Sequence, residues 1–130
     1  MKEFTVSLDI VSPSLTLAEI SAKLGRSHSE DSHNKGDVRA MGRRFAKTIW
    51  RLGSKAQPNA TMTEHLTNIV SQLSPTEFRR TVRPDDPVTV CVNVGVMSEG
   101  MASVTFTTDT VDIIRAYGAS LEISYYPCTS

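Results

Sequence analysis

Apolar residues along this chain switch between two spacings, and each switch marks an element. In "EFTVSLDI", Phe4, Val6, Leu8 and Ile10 alternate with Thr5, Ser7 and Asp9. That is the period of a strand with one buried and one polar face. The spacing then changes in "SLTLAEISAKLG", where Leu17, Ile20 and Leu24 fall on one helical stripe. Thr16 and Glu19 are placed for a capping box, Leu15 and Ile20 for a hydrophobic staple, and Gly25 for the left-handed position past the end. These signals predict a helix over 17–24. No apolar side chain follows until Val38, so 26–38 reads as an exposed loop.

"RFAKTIWRL" (44–52) predicts a second strand, with Ala46, Thr48, Trp50 and Leu52 on one side. "TMTEHLTNIVSQL" opens with another capping box, Thr61 with Glu64, and sets Met62, Leu66, Ile69, Val70 and Leu73 on one helical face. "SPTEF" repeats the device with Pro75 at the first helical position, giving a short helix to about Thr81. In "VTVCVNVGV" five valines, 88 to 96, alternate with smaller or polar residues and give the clearest strand. "MSEG" then reads as a hairpin connection into a returning strand "MASVTFTT", with Ala102, Val104 and Phe106 inward. Asp109 is placed to cap a helix using Val111, Ile114 and Tyr117 and ending at Gly118. "SLEISYY" closes with Leu121, Ile123 and Tyr125 on the core side.

The expected order is β-α-β-α-β-β-α-β, with the short extra helix after the second long one. A hairpin argues against a purely parallel sheet, and one-sided strands argue for helices on one face and solvent on the other. The predicted architecture is an α+β two-layer sandwich: a mostly antiparallel or mixed sheet of about five strands, in a single domain over 1–130.

Composition narrows the function classes. Fourteen basic and fourteen acidic residues give zero formal net charge, which argues against a long-range field for nucleic acid or anionic membrane. No apolar run approaches the ~20 residues of a membrane span, and "MKEFTVSLDIV" lacks the continuous apolar stretch of a signal peptide. The expected location is the cytoplasm. Two cysteines, Cys91 and Cys128, make neither a disulfide framework nor a zinc site.

The stretch "GRSHSEDSHNKGD" (25–37) looks most like chemistry, with two histidines and three acids. Metal ligands need a rigid scaffold and second partners, and a polar loop supplies neither, so no metal site is expected. Ser32 and Lys35 have serine–lysine spacing only as a string, because that chemistry needs a helix. Arg39, Arg43, Arg44, Lys47 and Arg51 gather around Trp50, either to meet an acidic partner or as snorkelling side chains over a core tryptophan. The polar sheet face would unite Thr5, Ser7, Asp9, Thr89, Asn93, Ser103, Thr105, Thr107, Glu122, Ser124 and Tyr126 in one hydrogen-bonding surface. No ordered catalytic group emerges from it, and no cofactor is expected.

The pattern resembles a bacterial family of small single-domain proteins carrying a domain-of-unknown-function label. The resemblance rests on "FTVSLDI", "LAEISAKLG", "KGD" (35–37), "WRLGS" (50–54), "EHLTNIVSQL" and "IIRAYGASLEISYY", spaced as LG…KGD…W-x-L-x-S. The family pattern has a proline shortly after "LG"; "GRSHSED" has none, so the conformation of this loop does not carry over. Members resemble small proteins found beside polymorphic toxins, some proposed as immunity proteins. The resemblance therefore implies a non-catalytic module that binds a cognate toxin. Its candidate contacts are Asp9, Glu122, Tyr126, Thr105 and Asn93 on the sheet face, Arg43 and Arg44 in the basic cluster, and Glu30 and Asp31 in the loop. The alternatives are a small-ligand binder or enzyme with a cryptic pocket, and a self-associating structural protein.

Overall fold

The computed structural model describes residues 2–100 and 103–127. Four strands and four helices follow in the order β1 (Lys2–Ser12), α1 (Leu17–Leu24), β2 (Thr48–Gly53), α2 (Met62–Gln72), α3 (Pro75–Thr81), β3 (Thr89–Ser98), α4 (Thr108–Ala116) and β4 (Ser120–Pro127). The strands form one open sheet, ordered β2-β1-β3-β4. β1 pairs antiparallel with both β2 and β3, while β4 runs parallel to β3. The fold is α+β with a mixed sheet, and it has four strands where the pattern suggested about five.

The missing strand is the predicted hairpin partner. Residues 103–107 form no strand, and Met101 and Ala102 lie outside the described residues. Val104 and Phe106 nevertheless pack against the core, while Ser103, Thr105 and Thr107 are exposed. Alternation reports which side chains of an extended segment are buried, not whether its backbone pairs. The segment instead leads into α4, so β3, α4 and β4 form a parallel crossover unit.

Local signals place the helices. Thr16 accepts from the Glu19 N–H and Glu19 returns a bond to the Thr16 N–H, and Gly25 takes a φ of 65°. Thr61 and Glu64 repeat the box on α2. On α3, Ser74 accepts from the Glu77 N–H and Pro75 occupies the first turn. α4 begins earlier than Asp109 implied: Thr107 is the cap, accepting from the Thr110 N–H, and Asp109 sits in the first turn.

Phe4, Val6, Leu8 and Ile10 of β1, Trp50 and Leu52 of β2 and Val92, Val94 and Val96 of β3 meet the helices in one core. Trp50 is wholly buried and donates its indole N–H to Ser21 Oγ at 3.0 Å, so it is a core residue and not a platform for a partner. Tyr117 is buried with its hydroxyl donating to the Leu73 carbonyl at 2.5 Å, which ties α4 to the end of α2. Val111, predicted inward, is 40% exposed, and Thr110 takes the buried position instead.

The two sheet edges differ. β2 is covered along its outer side by the 26–38 loop. The Ser29 N–H donates to the Arg51 carbonyl, His33 and Ile49 exchange N–H to carbonyl bonds at 2.9 and 2.8 Å, and Ser32 Oγ and Ser29 Oγ accept from the N–H groups of Arg51 and Gly53. The loop is thus a seal over an edge rather than a freely solvated excursion. Among the described residues, nothing covers the outer side of β4 in this way. Its register aligns Leu121, Ile123 and Tyr125 with Val92, Val94 and Val96 on the helix side, as the alternation predicts. The helices stop short of them, however, and they remain 40%, 49% and 47% exposed.

Candidate functional site

On the face opposite the helices, the register sets Asp9 of β1 beside Arg51 of β2 and Cys91 of β3. Ser7 Oγ donates to Asp9 Oδ1 at 2.7 Å. Arg51 Nε donates to Oδ2 at 3.2 Å, and Asn93 Nδ2 reaches the same oxygen at 3.4 Å. These neighbours leave Asp9 only 4% exposed on a face without helices. A carboxylate so far removed from water needs a counter-charge and hydrogen bonds, and the three partners supply both. The other end of the Arg51 guanidinium meets Asp31 of the loop, with Nη1 3.5 Å from Oδ2. Two acids share one arginine, so the cluster carries a net negative charge.

Across β3 the face continues toward the open edge. The Cys91 thiol lies 3.8 Å from a Glu122 carboxylate oxygen. Burial pushes this thiol above its ordinary pKa; the Ser120 hydroxyl opposes the shift, and the negative charges of Glu122 and Asp9 add to it. Cys91 is therefore held as a thiol and is not an activated nucleophile. Gly95 has a specific reason to lack a side chain, because a Cβ there would collide with Thr5 Oγ1 and press on the Tyr126 ring. A cleft of about 330 Å³ opens here, with Ser7, Asp31, Arg51, His65, Asn93 and Tyr126 among its lining residues.

His65 comes to this cleft from α2. It is 2% exposed and bonded through Nδ1 to Ser54 Oγ at 2.8 Å. Ser54 Oγ already accepts from the Ala56 N–H, so its own proton is available to Nδ1. That arrangement leaves the ring proton on Nε2, which has no hydrogen-bond partner among the described residues. Burial lowers the His65 pKa, opposed by the nearby Pro58 and Gln57 carbonyls and by the Glu64 charge.

The structure brings Asp9, Asn93, Asp31, Glu122 and Tyr126 together on this one face. Asp9 is its buried base, whereas Glu122 and Tyr126 are exposed. Thr105 is exposed on the crossover segment and does not belong to the sheet. Ser103 and Thr107 leave the face for the same reason. Glu30 is exposed beside Asp31 and takes no part in the network.

The basic cluster divides. Arg51 is drawn into the Asp9 pair, while Arg43 and Arg44 remain exposed near a tight turn. Arg44 donates to the Gly36 carbonyl at 2.8 Å, and Arg39 lies 4.8 Å over the Phe45 ring. Met41 at this turn has a φ of 64° and is 96% exposed.

The histidine pair in the loop divides too. His28 bonds to the Ser29 carbonyl, and His33 stacks on Phe45 at 4.1 Å. Ser32 is engaged with the Arg51 N–H, off any helix. Among the described residues no three of the His, Cys, Asp and Glu side chains group as metal ligands would, and no helix is long and apolar enough to cross a membrane.

Sequence reasoning did not single out Ser7 and Arg51 as partners of Asp9, nor His65 as a buried polar residue. The Asp9–Arg51 pair becomes visible only once β1 and β2 are set in register.

An α+β domain with a four-stranded mixed sheet, helices on one side and a hydrogen-bonding face on the other is the class that this geometry defines. The family model described as "Domain of unknown function (DUF4279)" matches residues 2–127, and the chain belongs to that family. No curated protein and no solved structure matches it.

Proposed function

We propose that this chain is a non-catalytic binding module, an immunity protein that neutralises a cognate bacterial toxin by direct stoichiometric contact in the cytoplasm. The observation that carries the reading is the open sheet face. Its base is fixed by the Asp9, Arg51, Ser7 and Asn93 bonds, and it presents Glu122 and Tyr126 to solvent. A surface whose side chains are already held loses little freedom on binding, which favours affinity. Its net acidity suits a partner with a basic patch. The toxin itself enters through the resemblance to small proteins encoded beside polymorphic toxins.

The test is a tagged pull-down at natural expression from cells making the toxin, with the wild type beside a Glu122→Lys/Tyr126→Ala double variant. One stoichiometric partner bearing a toxin domain is expected with the wild type. The variant should retain at least about tenfold less, equivalent to ~1.4 kcal/mol, at an unchanged melting temperature. A bare wild-type bait under these conditions would remove the toxin reading. Equal retention by the variant would move the contact off this face.

A second reading has its own observation, the cleft lined by Arg51, Asp31, Asn93 and His65. Its volume falls at the lower end of small-molecule sites. Under that reading a polar metabolite raises the melting temperature of the wild type and not of an Asn93→Leu variant.

A further inference from the structure

The contrast between the two sheet edges asks what meets β4. On β2, the 26–38 loop satisfies the outward N–H groups of Ile49, Arg51 and Gly53 with one carbonyl and two serine oxygens. On β4, among the described residues only β3 hydrogen-bonds to the backbone of Leu121–Tyr125. Sheets protect such edges with lysine, proline, a bulge or a covering segment. Over 121–125 β4 has one charge, Glu122, but among the described residues no lysine, proline, bulge or covering segment, and its apolar row stays about half exposed.

We propose that β4 pairs antiparallel with β4 of a second copy of this chain, about a two-fold axis at Ile123. The charge pattern rules out one register, and the self-match of the strand about Ile123 points to a second copy as the occupant. Glu122 is the only charged residue between Ser120 and Pro127. An axis at Glu122 would set two carboxylates face to face, which is unfavourable. An axis at Ile123 puts Glu122 across from Ser124 of the second copy, Leu121 across from Tyr125, and Ile123 across from itself. Every apolar residue then meets an apolar residue, and the acid meets a hydroxyl. This register also keeps both helix layers on one side, so the apolar row of each copy continues that of the other. A two-fold interface needs such self-complementarity, and a five-residue strand provides it here.

So short a seam buries less than the ~1,200 Å² of a standard interface, which sets the expected dissociation constant on the order of 100 µM. Sedimentation velocity from about 5 µM to about 1 mM should show a monomer converting to a dimer without larger species. Ile123→Lys places two ammonium groups on the axis and should hold the chain monomeric throughout, at an unchanged melting temperature. The register is read separately, with Cys91 and Cys128 replaced by serine. Directly opposed residues of an antiparallel pair lie within disulfide reach. Ile123→Cys should therefore cross-link with its own copy on oxidation, at least about tenfold faster than Leu121→Cys, whose opposite number is Tyr125. A wild type that stays monomeric to the highest concentration overturns the proposal. So does a dimer that survives Ile123→Lys, or a Leu121→Cys variant that cross-links as fast as Ile123→Cys. The cross-linking comparison also decides the matter should the lysine variant fail to fold.

Discussion

Asp9 and Arg51 are unequally exposed partners, and the inequality predicts which loss matters more. Arg51→Ala leaves a carboxylate at 4% exposure with only Ser7 and Asn93 beside it. Asp9→Asn instead removes the buried charge, keeps an oxygen for Ser7, and frees an arginine whose side chain is 24% exposed and still near Asp31. Urea denaturation should show Arg51→Ala destabilised by about 2–3 kcal/mol and Asp9→Asn by about 1 kcal/mol. The reverse order would mean that the guanidinium, not the carboxylate, is the costly buried group. His65 supplies a pH effect at the same scale. Burial holds its folded-state pKa below the 6.5 of an unperturbed imidazole. Below that value the unfolded chain takes up a proton that the folded chain refuses. Stability therefore falls as pH drops through about 6.5, and the loss stops once the pH is below the folded pKa. His65→Gln should flatten this step in melting temperature between about pH 7.5 and pH 5. Asp86, whose carboxylate is held low by the Arg83 N–H and by Lys23, acts in a lower window and does not blur the comparison.

At the scale of elements, the loop over β2 makes a prediction that a solvated loop would not. Ser32 and Ser29 accept from the amides of Arg51 and Gly53. Replacing both serines with alanine should cost about 1 kcal/mol for each bond lost and speed hydrogen exchange selectively at those two amides. Exchange unchanged at both would show that the seal depends on its backbone bonds, the His33–Ile49 bridge and the Ser29 N–H to the Arg51 carbonyl. The histidines of this loop attract attention in the sequence, but its serines and backbone do the joining. Serine side chains that serve a strand edge leave no periodic trace, which is why the loop reads as solvated from pattern alone.

For the whole molecule, the elements that carry their own local signals were legible. Capping boxes, Gly25 and the valine alternation of β3 mark α1, α2 and β3 without reference to the rest of the chain. Beside the 26–38 loop, two further readings went astray where the answer depended on a distant partner. The 103–107 segment alternates because Val104 and Phe106 pack on the core, yet its backbone joins no strand of the sheet. Leu121, Ile123 and Tyr125 were assigned to the correct side, but burial depends on how far the helices extend across the sheet, which alternation does not encode. The candidate face divides in the same way. Asp9, Asn93, Glu122 and Tyr126 follow from strand parity, whereas the partnership of Asp9 with Arg51 needs the register of two strands separated by a helix and a long loop.

A chain with adhesive borders on both sides grows without limit, since each added unit presents the next vacancy. Here the loop capping β2 makes addition terminal: a second molecule joined through β4 offers only capped borders outward. The serine-lined loop thus acts as a stop in a counting mechanism. Loosening it would convert a finite pair into a seed for ribbons, and the first sign would be turbidity that rises with time rather than a shift in melting temperature.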